Sequence, residues 1–553
     1  MLRARLSHDG TPGGATSEQP IYPFDHAHPV PPRDLTDLLG GKGAGLAEMT
    51  ATLGLPVPPG FTITVPVSRR FRAAGWPGSL DDALREAVAR LGATMGRSFG
   101  DAADPLLLAV RSGAPRSMPG MLDTVLNLGL NDDAVAALAE QSGDAVFAWD
   151  SYRRFLHMFA TTVMGVPADR LPDEAPPSLA AVQSHVSRLR AAVEAAAGRP
   201  VPADPHVQLR QAVEAVFRSW DSPRARAYRA TEGIDDGLGT AVNVQAMVFG
   251  NRGPDSGTGV VFTRDPATGR DTLYGDYLPR AQGEDVVGGT ARTWPIARMA
   301  EHLPDAHHAL RSALRRLETH YRDICDVEFT VEQGRLWLLQ TRVARRGAVA
   351  AVRAAVQMTR DPEIALTPAE ALDRVPAATR DRARHEVLDQ AGSTVDATMP
   401  SLGTGLGVSP GRACGRVVLT SEDAVDARDD VVLVRSQTSP EDVAGMAAAT
   451  GILTTTGGLV SHAAVVARGW GIPTVVGAGH LTVGADGIHD ADRRVVARAG
   501  DVITIDGTTG EIWLGAADHA GSVDPDRILA THLPELGILE RWAASHPGKE
   551  GTR

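Results

Sequence analysis

The sequence predicts a mixed α/β (α+β) chain of several domains. Three observations carry that expectation. At 553 residues the chain has room for about three to five units of ordinary domain size. Helical and strand patterns mix over its first 345 residues. A second compact block, with strands, tight glycine turns and short helices of its own, begins near Leu402.

Residues 1–20 are rich in Gly, Ser, Thr and Pro and read as a flexible tail. Residues 21–345 form the first large unit. Within it, LLLAVRS (106–112) reads as a buried strand running into a Gly/Pro loop, GAPRSMPG. Residues 146–240 read as a helical insert, interrupted by prolines near 167–177. From 241 the runs VNVQAMVFG, GTGVVFTRDP and TLYGDYL, with a turn at Thr268–Gly269, predict an antiparallel meander. Residues 346–401 are an Ala/Arg-rich helical linker. Its TPAE segment offers Thr367 as cap, Pro368 at the first helical position and Glu370 to close a capping box. Residues 402–515 form the second unit: a strand VVLV at 431–434, a helix opening at Ser439-Pro440, a strand ILTTT, a helix after His462, a strand TVVG and a hairpin DVITIDGTTGEIWL. Residues 516–553 read as a linker helix and a tail.

Composition narrows the function. Apolar residues at 43% and charged residues at 22% are those of a soluble globular protein. A net charge of −12 and a pI near 5.8 argue against nucleic acid or an anionic membrane as partner, since both attract basic surfaces. Two cysteines, Cys325 and Cys414, exclude a disulfide framework and a cysteine-based zinc site. No apolar run approaches the roughly 18 residues of a membrane span, and the opening MLRARLSHDGTPGG lacks a signal-peptide core. The expected location is the cytoplasm. Of the 55 basic side chains only Lys42 and Lys549 are lysine, which makes Lys42 conspicuous.

Lys42 lies in LLGGKGAGLAEM (38–49), flanked by Gly40, Gly41, Gly43 and Gly45, with a helical pattern starting at Leu46. Glycines and a helix N-terminus suit a phosphate. A compact ammonium can follow a moving phosphate, whereas a guanidinium locks to one geometry. In DVEFTVEQGRLWLLQTR (326–342), Asp326, Glu328 and Thr330 share one strand face. A three-residue connection at Gln333-Gly334-Arg335 sets Glu328 opposite Gln340 and Asp326 opposite Arg342; a two-residue turn sends the two sets to opposite faces. Two carboxylates and an amide oxygen clustered there suit Mg²⁺. Arg111 ends its buried strand beside a flexible loop, a place for a phosphate clamp. In GILTTTGGLVSHAAVVARGWG (451–471), a tight Gly457-Gly458 turn sets His462 in the first turn of a helix. There the macrodipole disfavours imidazolium and favours an attached phosphoryl group.

These motifs, with WDSYRRF, GTAVNVQAMVFGN, AQGEDVV and SPEDVAGM in the same order, resemble the pyruvate phosphate dikinase family. More broadly they resemble the group that includes phosphoenolpyruvate synthase and rifampicin phosphotransferase. The resemblance runs from about Tyr22 to about Ala543. It implies an ATP-grasp nucleotide-binding domain followed by a β/β/α swivelling phosphohistidine domain. It also implies that Lys42, Arg111 and Gly120 bind ATP, that the GAPRSMPG loop closes over its phosphates, and that Asp326, Glu328 and Gln340 hold Mg²⁺ and nucleotide with Arg342 beside them. His462 becomes the catalytic histidine: it takes the β-phosphoryl of ATP and releases AMP, while the γ-phosphoryl goes to orthophosphate as pyrophosphate, or to water.

Two departures are visible. The dikinases continue into a (β/α)₈ barrel for pyruvate, which needs about 250 residues, and 38 follow Gly515. The expectation is therefore a chain without that barrel, passing its phosphoryl group to pyruvate on a separate barrel protein. The family usually has threonine two residues before the histidine, a regulatory site in the plant enzymes; here that position is Val460. Alternative readings are a phosphotransferase of the phosphoenolpyruvate synthase or rifampicin phosphotransferase type with another acceptor, or a non-catalytic nucleotide-binding regulator.

Overall fold

The computed structural model describes residues 19–545 apart from 119, 173–177, 288–292, 395–397, 460 and 520–523. Most of the expected tail, the C-terminal residues 546–553 and Val460 lie outside the described residues.

The first unit contains two five-stranded antiparallel sheets. One is built from β1 (Ile21–Pro23), β2 (Gly60–Ile63), β3 (Leu108–Gly113), β4 (Thr124–Leu128) and β5 (Ala241–Ala246), in the order β1-β2-β5-β3-β4. The other comprises β6 (Gly257–Phe262), β7 (Tyr274–Pro279), β8 (Trp294–Pro295), β9 (Cys325–Glu332) and β10 (Arg335–Val343), in the order β10-β9-β6-β7-β8. The meander expected from residue 241 is therefore split. All six residues of β5 are buried, so it needs neighbours on both edges and finds them in β2 and β3. Only β6 and β7 form the expected antiparallel pair.

Four longer helices, Ala145–Met158, Leu179–Ala197, Pro205–Ser219 and Pro223–Glu232, lie in the region read as a helical insert. They cover the first sheet through a core that includes Val125, Phe155, Phe159, Val186 and Phe217. The second sheet turns Val327, Phe329, Val331 and Leu338 toward Leu310, Leu314 and Leu317 of the Pro304–Tyr321 helix.

Helix α1 (Thr36–Ala47) lies between the sheets and breaks at Gly40, where φ is 68° and ψ 162°. The helix resumes at Gly41, earlier than the Leu46 start expected, and the Gly41 N–H donates to Ala114 O at 2.9 Å. Close approach explains the glycines. A Cβ on Gly40 would fall 1.6 Å from Gly113 O, and one on Gly43 would fall 2.7 Å from Thr62 Oγ1 and 2.8 Å from Asn243 Oδ1. At those two positions glycine serves packing against the sheet rather than an open cradle.

The linker helices Ala348–Arg360, Pro368–Arg374 and Ala377–Gly392 share one apolar cluster with Pro525–His532 and Pro534–Ser545, through Val352, Val356, Val375, Leu529 and Leu533. The Thr367–Glu370 capping box forms.

In the second unit, four parallel strands (Arg412–Val418, Val431–Arg435, Gly451–Thr454, Thr474–Val476) form the centre of an eight-stranded mixed sheet. Alternation sends Val432, Val434 and Leu453 to one face, against Ile488 and Ala497 of a three-stranded sheet. Val431, Leu433 and Ile452 face Ala463, Ala464 and Ala467 of the His462–Trp470 helix. The layers are sheet, sheet and helix. This unit sits against the first: Tyr274 Oη donates to Gly407 O at 3.4 Å, and the Arg468 guanidinium lies 5.1 Å from the Phe262 ring centroid.

Candidate active site

The β9–β10 hairpin sets the first half of the site. Its turn has two residues, Gln333 and Gly334, both at positive φ (49° and 74°), and Glu332 pairs with Arg335. The three-residue connection expected from the sequence is absent. Glu328 nevertheless pairs with Gln340 and Asp326 with Arg342, because a β-bulge at Leu339 inserts the extra residue between Leu338 and Gln340. The pairing expected was right; the device that produces it is different.

On that face the charges interlock. Arg342 Nε donates to both oxygens of Asp326, at 2.8 and 2.7 Å. From β3 in the other sheet, Arg111 Nη2 donates to Glu328 Oε2 at 2.6 Å, and its Nη1 to the bulge carbonyl of Leu339 at 3.1 Å. Lys42 on α1 is half-buried in the same field. Burial, then the neighbouring Arg111, brings its pKa down to about 7, with Arg342 adding to the effect and Glu328 opposing it. Burial works against the charge of Glu328, yet Arg111, Lys42 and Arg342 together hold its carboxyl below the usual range. Asp326 is 6% exposed; burial raises its pKa despite Arg342. Cations outnumber carboxylates three to two in this cluster, so it favours a polyanion. Gly120 is exposed in a turn at φ 71°.

Among the described residues, no three His, Cys, Asp or Glu side chains converge as a metal site. The donor set is two carboxylates two residues apart on β9 and the amide oxygen of Gln340 across from them. That set fits Mg²⁺, a hard ion that takes one or two protein carboxylates and shares the rest of its shell with phosphates and water.

The second half of the site is local. Strand Gly451–Thr454, the glycine turn and the His462–Trp470 helix present His462 at the start of the helix, as expected. Its Nδ1 shares a 3.1 Å hydrogen bond with Thr438 Oγ1. Burial lowers its pKa, with Asp442 opposing, so the neutral ring is favoured. Thr438 reaches it because neighbouring parallel strands end side by side: Thr455 N–H donates to Arg435 O at 3.1 Å, and Thr456 N–H to Ser436 O at 2.9 Å.

The two halves meet at a cleft of about 130 Å³ bounded by Ser117, Asp326, Arg342, Arg345, Val465 and Arg468. Val465 lies three residues after His462, on the same helix face. Sequence reasoning missed Thr438, Arg345 and Arg468. A lone arginine in the apolar helix AAVVARG was a signal for Arg468; nothing local marked Thr438, 24 residues from the histidine.

Comparison with known proteins agrees with this arrangement. The pyruvate phosphate dikinase AMP/ATP-binding domain family matches residues 36–75, 66–297 and 295–362. The mobile domain of the PEP-utilising enzymes matches residues 427–510. The pyruvate, phosphate dikinase of Rhizobium meliloti (strain 1021) is 47% identical over 525 residues, covering 90% of this chain and 58% of that protein. Pyruvate, phosphate dikinase 1, chloroplastic, of Oryza sativa subsp. japonica is 44% identical over 523 residues, covering 90% and 54%. The pyruvate, phosphate dikinase of Clostridium symbiosum is 43% identical over 514 residues, covering 90% and 58%. The chain thus spans a little over half the length of these relatives. With two sheets flanking one charge cluster, a histidine-bearing mobile domain and these matches, the chain belongs to the pyruvate phosphate dikinase family.

Proposed function

We propose that the chain is an ATP-dependent phosphotransferase of the dikinase type, in which ATP phosphorylates His462. Lys42, Arg111, Gly120, Asp326, Glu328, Gln340 and Arg342 bind the nucleotide. Asp326, Glu328 and Gln340 hold Mg²⁺, which when bound neutralises phosphate charge. The observation that supports this reading best is the docked histidine helix: Val465 and Arg468 line the same cleft as Asp326 and Arg342.

In the step proposed, His462 is neutral, and with Nδ1 tied to Thr438, Nε2 is the ring nitrogen that attacks. A bond forms from Nε2 to the β-phosphorus as the bond to the AMP oxygen breaks, and AMP leaves with that electron pair. An orthophosphate oxygen then bonds to the γ-phosphorus as the bond from that phosphorus to the β–γ bridging oxygen breaks; pyrophosphate leaves and the bridging oxygen stays with the β-phosphoryl group on His462. Lys42 and Arg111 hold the phosphate chain in line, a positioning role that dominates phosphoryl transfer. The acceptor we propose for the phosphohistidine is pyruvate.

Incubation with Mg²⁺ and ATP labelled at the β-phosphate tests the reading. Acid-labile label on the wild-type chain and pyrophosphate formed only with orthophosphate are expected. An unlabelled wild type sinks the proposal. Labelled phosphoenolpyruvate should appear when pyruvate is added, alone or with a (β/α)₈ barrel protein, and no transfer in either case removes pyruvate as the acceptor.

A further inference from the structure

The cleft between the two units contains a cation that the nucleotide-binding assignment does not use. Arg468 is 3% exposed. Its Nη1 donates to Leu459 O at 2.9 Å and to Val408 O at 3.3 Å, both within its own unit. Among the described residues its Nη2 is buried with no hydrogen-bond partner, and an orphaned buried guanidinium nitrogen costs free energy unless a ligand meets it. The guanidinium packs over Phe262 of the first unit and lines the cleft with Asp326, Arg342 and Arg345. Three guanidinium groups therefore face one carboxylate, and Arg342 is already paired with that carboxylate. Among the lining residues the surplus is positive, while Asp265 and Asp276 act on Arg468 from outside the lining. At about 130 Å³ the cleft exceeds the share of several waters, each about 30 Å³ in the liquid, so a phosphate group fits. Guanidinium forks are the side chains best matched to phosphate oxygens.

We propose that this cleft is a phosphate-binding subsite closed by Arg468, so that the histidine unit supplies one of the arginines that hold the phosphate. The inference deepens the phosphotransferase reading and rests on it. Because Arg468 sits on the helix that begins with His462, its contact with the phosphate exists only while the histidine unit is docked. Occupancy of the subsite and docking therefore favour one another. The phosphate could be the end of the nucleotide or free orthophosphate; the chemistry is shared.

Calorimetric titration of the full chain with inorganic phosphate alone, and separately with a β,γ-imido ATP analogue and Mg²⁺, tests this. Arg468→Gln and Arg345→Gln should each weaken at least one of the probes by about tenfold or more, the change in Kd that 1.4 kcal/mol represents. Loss confined to inorganic phosphate assigns the subsite to orthophosphate; loss of the analogue assigns it to the nucleotide's own phosphate. Unchanged affinity for both probes in folded variants overturns the subsite, as does a wild type that binds neither. Arg345 is exposed and leaves the Leu459 and Val408 carbonyls untouched, so if Arg468→Gln fails to fold, Arg345→Gln decides. The β-label experiment is separate: Arg468-dependent phosphate binding without phosphohistidine would remove the catalytic reading and keep the subsite, while phosphohistidine with unchanged phosphate affinity would do the reverse.

Discussion

The charge cluster and the histidine loop are built in opposite ways. The cluster draws Lys42, Arg111, Asp326, Glu328 and Arg342 from one helix and three strands, and Arg111 reaches across 217 residues to Glu328. The histidine loop is one strand, one turn and one helix within residues 451–470, and the histidine ring itself is hydrogen-bonded to Thr438. One site is dense in charge and each member perturbs the others; the other is nearly neutral, and burial alone is the main influence on its histidine. The difference suits a division of labour in which one region grips a polyanion and the other presents an uncharged nucleophile.

Four experiments probe that division, from the largest expected effect down. His462→Ala should abolish acid-labile label while nucleotide binding, measured by calorimetry, persists. Loss of binding in that variant would mean the two sites are not separable. Lys42→Arg should lower phosphohistidine formation by on the order of 100-fold despite the retained charge, comparable with removal of one preorganised donor. Near-normal rates would show that the cluster needs only a positive charge. Thr438→Val removes one hydrogen bond to Nδ1, worth about 1 kcal/mol, and should slow phosphorylation several-fold with nucleotide affinity unchanged. A fall in nucleotide affinity instead would join Thr438 to the other region.

The smallest effect is in protons. Lys42 titrates at about 7 here against 10.5 for a free lysine. A bound polyanion raises that value again, so between about pH 7 and 9 binding should take up as much as one proton. The binding enthalpy then varies with the ionisation enthalpy of the buffer, and Lys42→Met should remove that dependence. At pH 6, where Lys42 is already protonated in the free protein, uptake at this residue should shrink.

The same contrast explains what was legible in the sequence. His462, its glycine turn and its helix follow from neighbouring residues, and the sequence placed them correctly. The capping box at Thr367 and the strands of the second unit were likewise local signals. The cluster depended on register and sheet partnership, which local patterns constrain weakly. Asp326, Glu328, Gln340 and Arg342 were paired correctly, but through a turn that the structure lacks. The start of α1 was misplaced because a run of glycines resembles a loop until the sheet beneath it is known. Docking of the two units was invisible because no residue within the helix reports what it packs against; the lone arginine of AAVVARG stood out without indicating what it meets.

The bulge at Leu339 carries a consequence for insertions and deletions. Along a strand, side-chain direction is a matter of parity, and each added residue inverts it for everything beyond. A tight turn with one bulged residue and a turn longer by one residue without a bulge give the same parity at Gln340 and Arg342. What the site requires is therefore the count of residues between Glu328 and Gln340 taken together with the number of irregularities between them. The hairpin can move its irregularity from tip to shaft and keep its chemistry, but it cannot lose one without turning Arg342 away from Asp326.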